Sequence, residues 1–215
     1  MREYILESTK KQKYRFGTIP VFVDEDPGDQ VNIPKVLDVL YDLLPSSFVR
    51  HLEGIHIKEL PVFSERQVNA MYKDNKLYIS PDQDNGEDLL DDIVHEIGHH
   101  VETLYTVDIY GQPELIKEFI KKRKELEFEI RSEGYWTEKY DFEKLRYDEK
   151  FDIFLYKRIG KRMLKMMTTG SFIRPYAAVS LREYFATGFE AFFLGEKNEL
   201  HKMSPVLYQI IADLK

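Results

Sequence analysis

Five residues, His95-Glu96-Ile97-Gly98-His99, constrain this chain more than any other stretch of its sequence. Residues four apart in an α-helix point the same way, so His95 and His99 can direct a ring nitrogen at one metal ion. Glu96 lies on the adjoining side of the same turn, where it can take a proton from a metal-activated water instead of binding the metal. The pattern predicts a helix that carries two metal ligands and a general base.

The plain alternative is a surface helix that happens to carry two histidines. The flanking residues argue against it, because apolar side chains recur at helical spacing along the segment from about Glu87 to Tyr105. At about 100° per residue, His95 and His99 project roughly opposite this apolar stripe. The stripe consists of Leu90, Ile93, Val94, Ile97, Val101 and Leu104.

Size and composition narrow the classes of protein that this chain can belong to. Its 215 residues predict one large domain, residues 1–215. The sequence contains no cysteine, so only His, Asp or Glu can hold a metal. A net charge of −7 argues against a nucleic-acid-binding protein, and no apolar run is long enough to insert across a membrane. The polar segment from Met1 to Lys13 lacks the apolar core of a signal peptide, which predicts a cytoplasmic location.

The first half of the chain alternates between strand and helix patterns. Strands are predicted at Thr18–Asp24 and Gly54–Leu60, and a hairpin at Val68–Ser80 that turns at residues 73–76. A helix is predicted over Ile33–Leu52, with a break near Pro45. This order predicts an α+β, zincin-like fold, in which a small twisted sheet covers one side of the motif helix and a mostly helical C-terminal half follows.

The segment from Pro113 to Lys165 has a different character. It contains 15 Lys/Arg and 12 Asp/Glu, and its pattern predicts helix almost throughout. We interpret it as a charged helical insertion between the motif helix and the helix that carries the third metal ligand. Such an insertion is either a pair of solvated helices packed on the core or a lobe that selects substrates or partners.

A catalytic zinc usually has three protein ligands, and Glu183 is the strongest candidate for the third. It lies in an aromatic-rich helical segment, residues 180–193, where a carboxylate needs a cation nearby. The alternative is that Glu183 forms a capping box with Ser180. Glu190 is the next candidate, either as a ligand or as a hydrogen-bond partner of a ligand histidine. His100 points about 100° away from His99 and is predicted to be a supporting or surface histidine.

The HExxH motif, followed by a helix that reads EYFATGFEAFF from Glu183, resembles the gluzincin metallopeptidases. Within them it resembles the anthrax lethal factor catalytic domain and the secreted Pro-Pro endopeptidases. The resemblance implies that His95, His99 and Glu183 bind Zn²⁺ and that Glu96 is the general base. It also implies that Tyr176, seven residues before Glu183, donates a hydrogen bond to the oxyanion of the reaction.

The chain departs from that group in two respects. His99 and Glu183 are 84 residues apart, which is longer than the group's pattern, and the group's export signal is missing from Met1–Lys13. The resemblance allows a secreted protein, whereas the N-terminal sequence predicts a cytoplasmic one. Both departures bear on the substrate and the location rather than on the chemistry.

The motif predicts a metalloendopeptidase whose substrate is a peptide or protein. We expect the substrate to lie extended along an edge strand, and Lys76–Ser80 is the candidate because it directly precedes the motif helix. Two alternatives remain open. One is an intracellular regulatory peptidase of the repressor-cleaving type, and the other is a catalytically silent zincin-fold binding module, which would not need the base Glu96.

Overall fold

The chain divides into two compact units, Met1–Val101 and Glu102–Lys215. The computed structural model describes residues 12–214. All strands of this range lie in the first unit, while the second unit is built from helices and loops. The predicted α+β class is confirmed.

The first unit contains a mixed five-stranded sheet in the order β1-β2-β3-β5-β4. The outer pairs β1–β2 and β4–β5 are antiparallel, and β3 pairs in parallel with both β2 and β5. The strands are β1 (Gln12–Phe16), β2 (Ile19–Val23), β3 (Gly54–Ile57), β4 (Ala70–Lys73) and β5 (Lys76–Ile79).

The helices of the first unit connect these strands. Helix α1 (Ile33–Leu43) follows β2, and the Asn32 side chain caps it by accepting a hydrogen bond from the Lys35 N–H. After Pro45 the chain continues as a short 3₁₀-helix, Ser46–Val49, so the predicted break is confirmed. Helix α2 (Pro61–Arg66) lies between β3 and β4, and the motif helix α3 (Gly86–Leu104) follows β5.

The predicted hairpin is confirmed by the turn between β4 and β5. Asp74 and Asn75 have φ angles of 50° and 57°, as a two-residue type I′ turn requires. The second predicted strand, Gly54–Leu60, is shorter than expected, because Pro61 begins α2 and β3 ends at Ile57. Strand β1 was not predicted, because its alternating Lys13 and Arg15 resemble a charged tail.

The buried face of the sheet forms the core of the first unit. The side chains that alternate along β2, β3 and β5 on this face are at most 3 % exposed. They are Val21, Val23, Ile55, Ile57, Leu77 and Ile79. On the opposite face Phe22, His56 and Tyr78 lie in register, and their rings stack at 4.8 and 5.3 Å. Successive side chains of a strand point to opposite faces of the sheet, so each strand contributes residues to both faces.

The prediction that Lys76–Ser80 is an edge strand is wrong. Strand β5 pairs with β3 on one side and with β4 on the other, so both of its edges are occupied. The hairpin pattern indicated the β4–β5 pairing but carried no signal for the long-range parallel pairing with β3. Within residues 12–214, the outermost strand at this end of the sheet is β4.

The second unit packs helices around α5 and α8. Its helices are α4 (Thr106–Tyr110), α5 (Pro113–Ser132), α6 (Glu149–Ile153), α7 (Lys161–Thr168), α8 (Leu181–Phe193), α9 (Lys197–Met203) and α10 (Pro205–Asp213). A π-helical stretch, Phe154–Gly160, joins α6 to α7. No helix within residues 12–214 combines the length and the apolar character needed to cross a bilayer.

The charged segment is only partly helical. Residues 133–148 form turns and irregular chain between α5 and α6, so the prediction of helix almost throughout is wrong there. Arg123 of α5 is 1 % exposed, and its guanidinium donates hydrogen bonds to the carbonyls of Lys144 and Asp141. A buried arginine therefore holds this loop, and composition alone does not reveal such a contact.

Candidate metal centre

Helix α3 begins at the end of a short loop after β5. The Asn85 side chain accepts hydrogen bonds from the N–H groups of Glu87 and Asp88, which satisfies two free donors of the first turn. Glu87 and Asp88 also place negative charge near the positive end of the helix dipole. These features fix where the helix starts, and the predicted range of Glu87–Tyr105 agrees with the structure within one residue at each end.

The helix turn at His95, Glu96 and His99 forms a group of candidate metal ligands. One ligand atom from each of these residues lies within 4.8 Å of the others, and the two imidazole rings are 5.0 Å apart. Glu96 and His99 are each only 6 % exposed, and His95 is half-buried. Imidazole nitrogens and carboxylate oxygens are ligands that suit Zn²⁺. The three residues predicted from the motif therefore come together in a geometry that can hold a divalent metal.

The packing of α3 differs from the predicted single stripe. Leu89 is fully buried and Leu90 only partly, so the stripe begins one residue earlier than predicted. From Ile93 onward nearly every side chain through Val101 is buried, including the side that carries His99. Helices buried on all sides lie inside a protein rather than on its surface, which removes the alternative of a surface helix with two histidines.

Asp92 precedes His95 by one turn and is part of a hydrogen-bonded network. Gln83 donates through Nε2 to the Asp92 carboxylate at 3.0 Å and to the Ser80 carbonyl at 3.1 Å. Ser80 donates in turn to the Glu59 carboxylate at 3.3 Å. Burial, together with the charge of Glu96, raises the pKa of Asp92 to about 6 even though the Gln83 hydrogen bond lowers it. The loop before α3 is thereby tied to the turn that precedes the candidate ligands.

His100 is a core residue that connects α3 to the rest of the first unit. It is fully buried, and its Nε2 donates to the Arg50 carbonyl at 2.7 Å. Its Nδ1 lies 3.2 Å from the hydroxyl of Tyr72, which belongs to β4. Burial lowers the pKa of His100, so the neutral ring is favoured. Of the two predicted alternatives, a surface histidine is wrong, because His100 is fully buried and contacts Tyr72 of β4 and the Arg50 carbonyl.

Glu183 lies in the first turn of α8, in the second unit. The Ser180 hydroxyl accepts a hydrogen bond from the Glu183 N–H at 3.2 Å, so the capping interaction of Ser180 is present. This contact uses only the backbone N–H of Glu183, whose side chain is half-buried. The capping interaction is present, and it is compatible with metal coordination by the Glu183 carboxylate. Glu183 as the third metal ligand stays a prediction.

Tyr176 lies in a short 3₁₀-helix, Pro175–Ala178, in the same unit as Glu183. Burial raises its pKa above the ordinary value of 10.0, and the negative charge of Glu183 raises it further. Its ring meets the ring of Tyr156 edge-on at 5.9 Å. The hydroxyl therefore keeps its proton at neutral pH, as a hydrogen-bond donor must.

Two residues near Tyr176 and Glu183 carried no signal in the sequence. The Tyr147 hydroxyl donates to the Asp152 carboxylate at 2.9 Å. Burial raises the pKa of Asp152, and so does the charge of Glu183. These residues belong to the loop after α5 and to α6, and only tertiary packing brings them into the surroundings of Glu183.

Ion pairs surround the two ends of α8. Arg182 contacts the Glu102 carboxylate at 3.0 Å, and the Tyr110 hydroxyl donates to the same carboxylate at 2.7 Å. Near the other end, Glu190 lies 3.6 Å from Arg174. Arg174 is thus a cationic partner of the half-buried Glu190, and a ligand or supporting role for Glu190 stays a prediction.

Comparisons with family models, with curated proteins and with solved structures gave no match to this chain. The function of this chain is therefore inferred from the motif residues, from their geometry and from the resemblance of the HExxH motif and the Glu183 helix to the gluzincins.

Proposed function

We propose that this protein is a zinc-dependent metalloendopeptidase of the gluzincin type with a zincin-like catalytic fold. One observation carries the proposal: His95, Glu96 and His99 converge within 4.8 Å on a buried turn of α3. His95 and His99 would hold the ion, and Glu183 would complete a His₂Glu ligand set with an open position. When bound, zinc supplies Lewis-acid activation of water and of the substrate carbonyl.

The chain's own residues would carry the proton transfers. Glu96 would accept a proton from the attacking water and then deliver it to the nitrogen of the leaving amine. Tyr176 would donate a hydrogen bond to the carbonyl oxygen as negative charge develops there. Support comes from its position, since Tyr176 lies close enough to Glu183 for the charge of that carboxylate to raise the tyrosine pKa.

An extended peptide would bind along the outer edge of β4 (Ala70–Lys73), which pairs with no second strand among residues 12–214. Strand addition to a sheet edge supplies backbone hydrogen bonds without selecting a sequence. Support comes from the sheet order and from the 5.3 Å contact between the rings of Tyr72 and His100, which puts β4 next to the motif helix. Substrate selection would then depend on pockets that receive the peptide side chains.

Glu96→Gln tests this function against a silent binding module. The variant should lose at least about a hundredfold in peptide cleavage, since general-base catalysis contributes roughly 10²–10⁴-fold, while zinc content stays near the wild type. Cleavage is measured with a peptide library by mass spectrometry, and a chelator should abolish it in the wild type. Glu87→Gln, the same change at an exposed position of α3, serves as the control and should cleave normally. Wild-type turnover by Glu96→Gln would contradict the mechanism.

A further inference from the structure

An acid-free stretch of the second unit stands out in an acidic chain. Residues 153–182 contain seven Lys/Arg and no Asp or Glu, although the whole chain has a net charge of −7. Arg174 and Arg182 in this stretch are paired with glutamates. Arg158, Lys161, Arg162 and Lys165 are all exposed, and none of them forms an ion pair with any residue in the range 12–214.

The cations of α5 show the opposite arrangement. Lys117, Lys121, Lys124 and Arg131 each lie within 4 Å of a glutamate carboxylate. The exposed side of α5 is therefore a solvated surface on which glutamates neutralise these four cations. Lys161, Arg162 and Lys165 of α7 form no such ion pair with residues 12–214, so α7 differs from the charge-neutralised surface of α5.

The spacing of the α7 cations is unfavourable for an isolated helix. Lys161 and Lys165 are four residues apart, Arg162 and Lys165 are three apart, and like charges at these spacings repel. Lys161 and Arg162 also occupy the first turn, which contains no acidic residue, so they oppose the helix dipole. An external polyanion would relieve both penalties.

Methionines border the cationic positions. Three of the six methionines of the chain lie at residues 163–167. Met166 is 60 % exposed and lies one turn after Arg162, while Leu164 and Thr168 fix the opposite side of α7 in the core. Flexible apolar side chains beside Lys and Arg are typical of helices that rest in a lipid headgroup region.

We propose that the α7 surface, formed by Lys161, Arg162, Lys165 and Met166, binds the anionic surface of a lipid bilayer. A single short helix has a convex surface, which fits a broad, flat membrane surface. An extended peptide would instead need a groove or a sheet edge to bind. Nucleic acid is disfavoured because a nucleic-acid site usually has a wide basic face, and these cations lie on one helix of 8 residues. The bound protein would lie on the membrane without crossing it, and this proposal does not depend on the proposed peptidase activity.

Vesicle flotation of the full chain tests the proposal. The wild type should bind vesicles of phosphatidylcholine mixed with phosphatidylglycerol, and the binding should weaken as the salt concentration increases. It should not bind vesicles of phosphatidylcholine alone. The triple variant K161Q/R162Q/K165Q should bind about a hundredfold more weakly, at roughly fivefold per cation. Met166→Gln should weaken binding less, through loss of the apolar contact.

A matched control removes the same charge elsewhere in the second unit. The triple variant K117Q/K121Q/K124Q changes the net charge equally on α5 and should bind vesicles nearly as the wild type does. Circular dichroism checks that both variants fold. Failure of the folded wild type to bind anionic vesicles would overturn the proposal, and so would an equal loss in both triple variants. Binding to polyglutamate or single-stranded DNA without vesicle binding would also overturn it and assign the surface to another polyanion.

Discussion

At the scale of single residues, the burial of Glu96 next to two imidazoles indicates that a cation belongs beside it. A carboxylate that is 6 % exposed needs hydrogen bonds or a nearby cation, because burying an uncompensated charge is very unfavourable. A divalent ion bound by His95 and His99 would supply that charge. The same ion would give Glu96 a water from which to remove a proton.

Asp92 should oppose folding of the metal-free protein at neutral pH. Its pKa is raised from 3.8 to about 6, so the native state holds the proton more tightly than the unfolded chain does. Stability from this group is therefore present below pH 3.8 and is lost as the pH rises through about 6. Asp92→Asn should raise the free energy of unfolding by about 1–3 kcal/mol at pH 8 and by little at pH 4.

Urea unfolding of the metal-free protein at these two pH values measures the effect of Asp92→Asn. Asp84→Asn, an exposed change in the loop before α3, is the control and should leave the unfolding midpoint nearly unchanged at both. A destabilisation by Asp92→Asn at pH 8, or an equal effect at the two pH values, would show that burial does not set the behaviour of this carboxyl.

The sequence predicted the residues of the site that share one helix turn. His95, Glu96 and His99 follow from the period of 3.6 residues, which is a local property of the chain. Gln83, which holds Asp92, was not predicted because its contact depends on the path of the loop between β5 and α3. The hydrogen bond between His100 and the Arg50 carbonyl was not predicted either, because the two residues are 50 positions apart in the sequence.

At the scale of elements, His100 connects α3 to β4 and to the chain after the first 3₁₀-helix. His100→Leu removes the donor to the Arg50 carbonyl and should lower the free energy of unfolding by about 1–3 kcal/mol. Burial lowers the pKa of His100 below 6.5, so the native state binds its proton less tightly than the unfolded chain. The stability from the neutral ring is full above pH 6.5 and declines as the pH falls, so the loss in the variant should be larger at pH 8 than at pH 5.

Tyr72→Phe provides the comparison for His100→Leu. It removes the hydroxyl that faces Nδ1 but keeps the bond between Nε2 and the Arg50 carbonyl, so its loss should be smaller, about 0.5–1.5 kcal/mol. Chemical denaturation at pH 8 and pH 5 compares the two variants. If His100→Leu were as stable as the wild type at pH 8, His100 would not anchor β4 to the helix.

Elements with local signals were predicted well, and their long-range pairing was not. Asp74-Asn75 indicates a tight turn by itself, and Pro45 ends α1 by itself. The position of β5 between β3 and β4 depends on a parallel crossover, for which the sequence of Lys76–Ile79 carries no local signal. The high charge of residues 133–148 suggested helix, but Gly134 has a φ of 84° just after α5, and the Arg123 side chain binds two carbonyls of the loop that follows.

At the scale of the whole molecule, the proposed zinc ligands are distributed over two compact units. His95 and His99 belong to the first unit, whereas Glu183 and Tyr176 belong to the second. The two-residue donor set of the first unit would bind zinc more weakly than a complete His₂Glu set, so the contribution of Glu183 is measurable as a loss of metal.

The most direct test measures zinc per chain in the wild type and in Glu183→Ala, both purified without a metal-affinity step. We expect about one zinc per wild-type chain and a clear loss in the variant. Glu199→Ala, which removes a carboxylate paired with Lys202 on α9, is the control and should keep its zinc. Full zinc in Glu183→Ala would reduce Glu183 to a residue of the helix cap. A wild type that holds no zinc, even after zinc is added back, would contradict the proposed metallopeptidase.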